Sequence, residues 1–283
     1  MKTPKPPVKS IFWLSLIVAL LILAAYCLVY LLQPFRAILN PAIEFTLNDL
    51  LLNLLVILCA VLSASASTAI LAQHQRDEPP FLIWLNFTVG LWFWTLAEVI
   101  WMVFNLTLGE VPDVTIADVL WVLGYYLFGL CLLQQYSLVY RIKARHAWSG
   151  YIVVALVVLA ISTGIATILQ IRQGVNLLSG IVNYYYVVSD IGIGLFALVL
   201  MVNFRGGVMI RPWLGLFVMA MSDALYAWLY LSDTYSYMSW MGNIPTLIAD
   251  LAYLMAYLVL TIGFLMHYLL LKFGPPALRG KQV

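Results

Sequence analysis

The sequence predicts an all-α, polytopic membrane protein, and three observations carry that prediction. Of 283 residues, 64% are hydrophobic and only 9% charged, against roughly 25% charged in an ordinary soluble domain. Mean hydropathy is +1.00. Eight apolar stretches are each long enough to cross about 30 Å of hydrocarbon, and the loops between them are too short to fold as soluble domains.

The stretches fall near 10–33, 47–73, 81–107, 116–140, 148–171, 184–204, 212–232 and 245–271. The first follows a basic leader, Lys2, Lys5 and Lys9. Its apolar run exceeds the roughly 7–15 residues of a signal-peptide core and no small-x-small cleavage site precedes a polar start, so it is expected to stay as a membrane anchor. The second opens on Asn48-Asp49 and carries the small-residue run Ser63 to Thr68, which permits close helix contact. The third holds Glu98 well inside its span. The fourth begins at Thr115 and Asp118, spaced as an N-terminal capping box. The sixth opens near Ser189-Asp190, the seventh holds Asp223 well inside, and the eighth carries Asp250 before Gly274-Pro275-Pro276 ends it.

Charge sets the expected orientation. With the N-terminus inside, the inner segments hold Lys2, Lys5, Lys9, Arg76, Arg141, Lys143, Arg145, Arg205, Arg211, Lys272, Arg279 and Lys281, and the outer ones only Arg36 and Arg172. Both termini are therefore expected in the cytoplasm of a protein of the cytoplasmic membrane. The net charge of +2 reflects this asymmetry and is no nucleic-acid footprint. Cys27, Cys59 and Cys131 lie on different stretches at mid-span and read as small core residues.

One spacing recurs. An acid is followed by aromatic residues at i+3 and i+7 in Asp118, Trp121, Tyr125, in Asp223, Tyr226, Tyr230 and in Asp250, Tyr253, Tyr257; Glu98, Trp101 and Asn105 form a partial copy. These positions share one helical face. Aligning Glu98 with Asp223 and Asp118 with Asp250 matches the third and fourth stretches to the seventh and eighth, and Asp49 to Asp190 more weakly. The chain is thus read as two parallel four-helix repeats, 1–145 and 146–283.

Six of the twelve acids, Asp49, Glu98, Asp118, Asp190, Asp223 and Asp250, map to the outer half of the membrane. A charge at a helix centre costs about 2.5–3.5 kcal/mol on insertion scales, and no Lys or Arg lies at membrane depth to pair with one. Asp49, Asp118 and Asp250 suit helix starts. Glu98 and Asp223, with Trp101 and Tyr226 beside them, suit either an outward cavity for a cation, an amine or a protonatable relay, or hydrogen bonds from Tyr or Trp that fix the packing of the two halves. The histidines, His74, His146 and His267, have no ligand spacing. No nucleophile with a nearby base, phosphate loop, metal site or cofactor motif occurs, so the expectation is a protein without enzymatic activity or cofactor.

The segment from Trp94 to Leu133 combines an intramembrane acid, a tryptophan three residues on, Gly109-Glu110-Val111-Pro112, Ile116-Ala117-Asp118 and Tyr125; Met221 to Tyr226 and Ala249 to Tyr253 repeat the cadence. It resembles the multi-helix membrane input regions that precede GGDEF diguanylate cyclase, EAL phosphodiesterase and histidine kinase domains in bacteria. The resemblance implies a sensor in which Glu98, Asp118, Asp223 and Asp250 line the responsive part. An output domain is missing here, so a signal would pass to a cytoplasmic or membrane partner. The other readings are a cation- or proton-coupled transporter and a structural subunit of a larger membrane complex. All three share the lipid bilayer as a partner.

Overall fold

The computed structural model describes residues 8–108, 114–142, 164, 168, 176–204, 211–232, 234–236, 239 and 242–274. Among them are seven helices, α1 (Val8–Leu32), α2 (Leu47–Leu71), α3 (Pro79–Leu108), α4 (Ile116–Ile142), α5 (Leu177–Phe204), α6 (Arg211–Leu231) and α7 (Ile244–Phe273). Each is long and apolar enough to cross a membrane. The expected fifth stretch, 148–171, lies outside the described residues except for Gly164 and Ile168. A short antiparallel hairpin, β1 (Ile38–Asn40) and β2 (Phe45–Thr46), joins α1 to α2.

Local chemistry explains where the helices start. Thr46 caps α2 by accepting from the Asp49 amide, and the Asp49 carboxylate accepts from the Thr46 amide in return. At α4 the Asp118 carboxylate accepts from the Thr115 amide at 2.6 Å, while Thr115 Oγ1 accepts from the Ala117 amide at 3.1 Å. Asn243 caps α7, with Pro245 in its first turn.

Two expectations need correction. Asp250 does not begin its helix: the Asn243 cap starts α7 more than a turn earlier. Asp190 is not near a helix end either, because Asn176 accepts from the amides of Leu178 and Gly180 and starts α5 at Leu177 instead of near 184. That early cap moves Asp190 to the middle of the helix.

Neighbours in sequence pack side by side from α2 to α7, and α7 returns to α2, so six helices close a ring. The helix α1 lies outside it against α7 and α2. Inside the ring, Phe87 is wholly buried with the rings of Phe264, Phe128 and Trp213 centred 5.1, 5.5 and 5.9 Å away. Glycines let α3 and α4 cross closely: a Cβ on Gly124 would fall 2.2 Å from Trp94 Cδ1. Small residues at such crossings are how helices gain contact in a solvent where apolar burial gives no drive.

Candidate functional site: carboxylates held by tyrosines

Asp49, Asp118 and Asp250 lie in the first two turns of α2, α4 and α7, Glu98, Asp190 and Asp223 lie further inside their helices, and five of the six are held by phenols from other elements. Glu98 on α3 accepts from Tyr253 and from Tyr257 of α7, the latter at 3.2 Å; the two hydroxyls are themselves 3.2 Å apart. Tyr125 on α4 donates to Asp190 of α5, and its oxygen is also 3.0 Å from Asp223 Oδ2 of α6. Asp118 accepts from Tyr186 of α5 at 2.6 Å in addition to its capping bonds. Asp250 takes Tyr26 of α1 at 2.9 Å and Tyr235 of the α6–α7 loop at 2.7 Å.

Asp49 is the exception. Its second oxygen accepts from the Ser239 amide at 2.9 Å, which ties the α6–α7 loop to the start of α2. Neighbouring Asn48, Gln33 and Tyr30 hold the same loop through Ser239 Oγ, Ser239 O and Asn243 O. Burial and the Asp250 carboxylate push the Tyr235 phenol well above its ordinary pKa, so in this loop it remains a proton donor.

The recurring spacing therefore works across helices. Tyr125, Tyr253 and Tyr257 each reach an acid of another helix, and none is bonded to the acid of its own stripe among the bonds described. Trp101 packs on Trp121, ring centres 5.5 Å apart, and Tyr226 packs edge-on against Tyr235, the partner of Asp250, at 4.7 Å. Neither aromatic is a hydrogen-bond partner of the acid three residues before it among the bonds described. Tyr26, Tyr186, Tyr235 and Ser239 went unmarked in the sequence. A signal was present, since the chain has 17 tyrosines and no basic group at membrane depth.

Glu98 and Asp190 are 7% and 2% exposed, so water does little of the work of holding them. His74 and Glu78, 2.9 Å apart, lie at the end of the bundle opposite the hairpin, and no Lys or Arg among the described residues pairs with any of the six acids. Buried carboxylates without cations need donors or protons, and here phenols provide the donors. A groove of about 290 Å³ between α4 and α5 brings one of them to an opening: Tyr125, Tyr185 and Ser189 form its polar part and Phe196 and Leu132 its apolar part. Glu98, Asp118, Asp223 and Asp250 line neither this groove nor a second cavity near the hairpin.

The chain matches no protein-family model, no curated protein and no solved structure.

Proposed function

We propose that the chain is a non-enzymatic, sensor-like module of the cytoplasmic membrane whose responsive element is the Asp190–Tyr125–Asp223 bridge. The observation that carries this reading is a shortage of protons. Two hydrogen bonds meet at the Tyr125 oxygen, and a phenol has one proton to give. The second bond forms when one carboxyl group carries a proton of its own, with Asp223 donating to Tyr125 while Tyr125 donates to Asp190. A proton there also removes one of two like charges, each worth about 2.5–3.5 kcal/mol at membrane depth. Loss of that proton, or its replacement by a small cation arriving through the groove at Tyr125, alters the fit of α4 against α5 and α6.

We also read the chain as eight helices with both termini cytoplasmic, on hydropathy and the placement of its basic residues, and the same bonds support its division into two parallel repeats, 1–145 and 146–283. Glu98 of the first half is held by Tyr257 of the second, and Asp223 of the second meets Tyr125 of the first. Those are equivalent pairs under the alignment of Glu98 with Asp223 and Tyr125 with Tyr257. A change at one latch would thus be felt by both halves and passed to a signalling partner in or at the membrane, as the resemblance to bacterial input regions implies.

The test uses the full chain reconstituted in liposomes, with tryptophan fluorescence followed against pH and against added cations. Asp223→Asn should abolish the pH response and Glu98→Gln should shift it, with membrane insertion unchanged. If the two single variants and the double variant keep the wild-type response and every partner interaction, the bridge is only packing and the proposal fails.

A further inference from the structure

The second cavity, about 460 Å³ in volume, sits apart from the acid–tyrosine bonds, between the end of α1, the hairpin and the start of α2. Gln33, Arg36, Ile38, Glu44, Thr46 and Asn48 form its wall. Three properties single it out. Asn48 is 1% exposed; its Nδ2 donates to Ser239 Oγ at 3.2 Å, but its Oδ1 has no partner. A buried amide oxygen without a donor is costly to leave so, and a ligand group beside it can lower that cost. Arg36 and Glu44 are both exposed, and among the described residues neither forms an ion pair. Finally, Gln33 and Glu44 have φ of 46° and 55°, the only non-glycine residues described with positive φ. Both stand in this wall, and strained backbone gathers where a site must keep its shape.

We propose that this cavity binds a small zwitterion, its ammonium on the Glu44 carboxylate beside Asn48 and its oxyanion on the Arg36 guanidinium. Charge complementarity argues for both signs on one ligand: a lone cation would answer Glu44 and Asn48 but leave Arg36 unmatched, and a lone anion the reverse. The volume is in the range of small-molecule pockets, roughly 300–1,000 Å³. Ammonium paired with carboxylate or phosphate occurs in free amino-acid-like solutes and in aminophospholipid headgroups, and a site beside the helix ends is open to either source. Occupation would also be felt at the α6–α7 loop, because Asn48 holds Ser239. This proposal stands whether or not the Asp190–Tyr125–Asp223 bridge senses protons.

The experiment takes the full chain in uncharged maltoside micelles and titrates it with L-alanine and phosphoethanolamine by calorimetry. In parallel, phosphatidylethanolamine is added and retained lipid is read by native mass spectrometry. One zwitterion should bind, and Arg36→Gln and Glu44→Gln, both exposed positions, should each weaken binding by at least about tenfold, as expected for loss of a paired charge. Retention of the lipid without binding of either soluble probe assigns the site to a headgroup; binding of a soluble probe assigns it to a solute. Absence of all binding overturns the proposal. So does choline or acetate binding as tightly as the zwitterions, or affinity unchanged in both variants.

Discussion

The two latches at the centre of the bundle are built from the same residue types in opposite proportions. Glu98 is one carboxylate with two phenols, Tyr253 and Tyr257, both from α7. Asp190 and Asp223 are two carboxyl groups on different helices with one phenol, Tyr125, between them. The first has donors to spare and holds its acid in either protonation state. The second is one donor short, and a titrating proton is the natural way to complete it. Similar composition thus gives a clamp on one side and, on the other, the bridge we propose as the responsive element.

The largest effect expected from that contrast is at Tyr125. Replacing it with Phe removes the one donor described for Asp190, which is buried, and Asp223, which is partly buried, and should lower stability by about 3 kcal/mol, since each unsatisfied group costs about 1–3 kcal/mol. Thermal unfolding in detergent measures this, and a loss no greater than that of Tyr257→Phe would erase the distinction between the latches. Next in size is the pH dependence. A folded state that binds one more proton than the unfolded one loses stability as pH rises, with a limiting slope of about 1.4 kcal/mol per unit. Unfolding scans across neutral and alkaline pH should show this slope in the wild type and a flat line in Asp223→Asn; an equal slope in both would place the proton elsewhere.

A smaller change belongs to Asp49, the acid without a phenol. Thr46→Ala should cost about 1 kcal/mol, as for loss of a helix cap, while leaving the pH slope as it was. A changed slope would join Asp49 to the responsive group. The smallest loss should come from Tyr257→Phe, about 0.6 kcal/mol, the average of interhelical hydrogen bonds measured in membranes, because Tyr253 still serves Glu98. Calorimetric unfolding of that variant would contradict the clamp if its loss rivalled that of Tyr125→Phe.

Membrane class and the places of seven of the eight expected stretches were legible in the sequence because the solvent imposes them: an apolar run of sufficient length has few other uses. The acids were legible for the same reason, as exceptions in those runs. Their partners were less so. A stripe such as Asp250, Tyr253, Tyr257 reports that three groups share a face, but the acid that the two phenols serve is on α3, and no local pattern encodes which faces meet. Tyr26 is the extreme case, one of two phenols, with Tyr30, in a mostly aliphatic peripheral helix. The start of α5 was misjudged through Asn176, whose side chain caps a helix seven residues before the hydropathy pattern suggests one. That shift changes Asp190 from a helix-end group into a mid-membrane one.

The bond from Tyr26 to Asp250 spans 224 residues of chain, and it has a consequence for biosynthesis. The helix α1 exposes most of its surface, and its few buried positions, Ala19, Tyr26 and Tyr30, face elements joined to it late in the chain. While the ribosome is still producing the middle helices, these two hydroxyls face lipid or headgroups with no native acceptor. The bundle can close only after its last helix has been inserted, and until then α1 is held by the hairpin and its contact with α2, without the larger contact that α7 supplies.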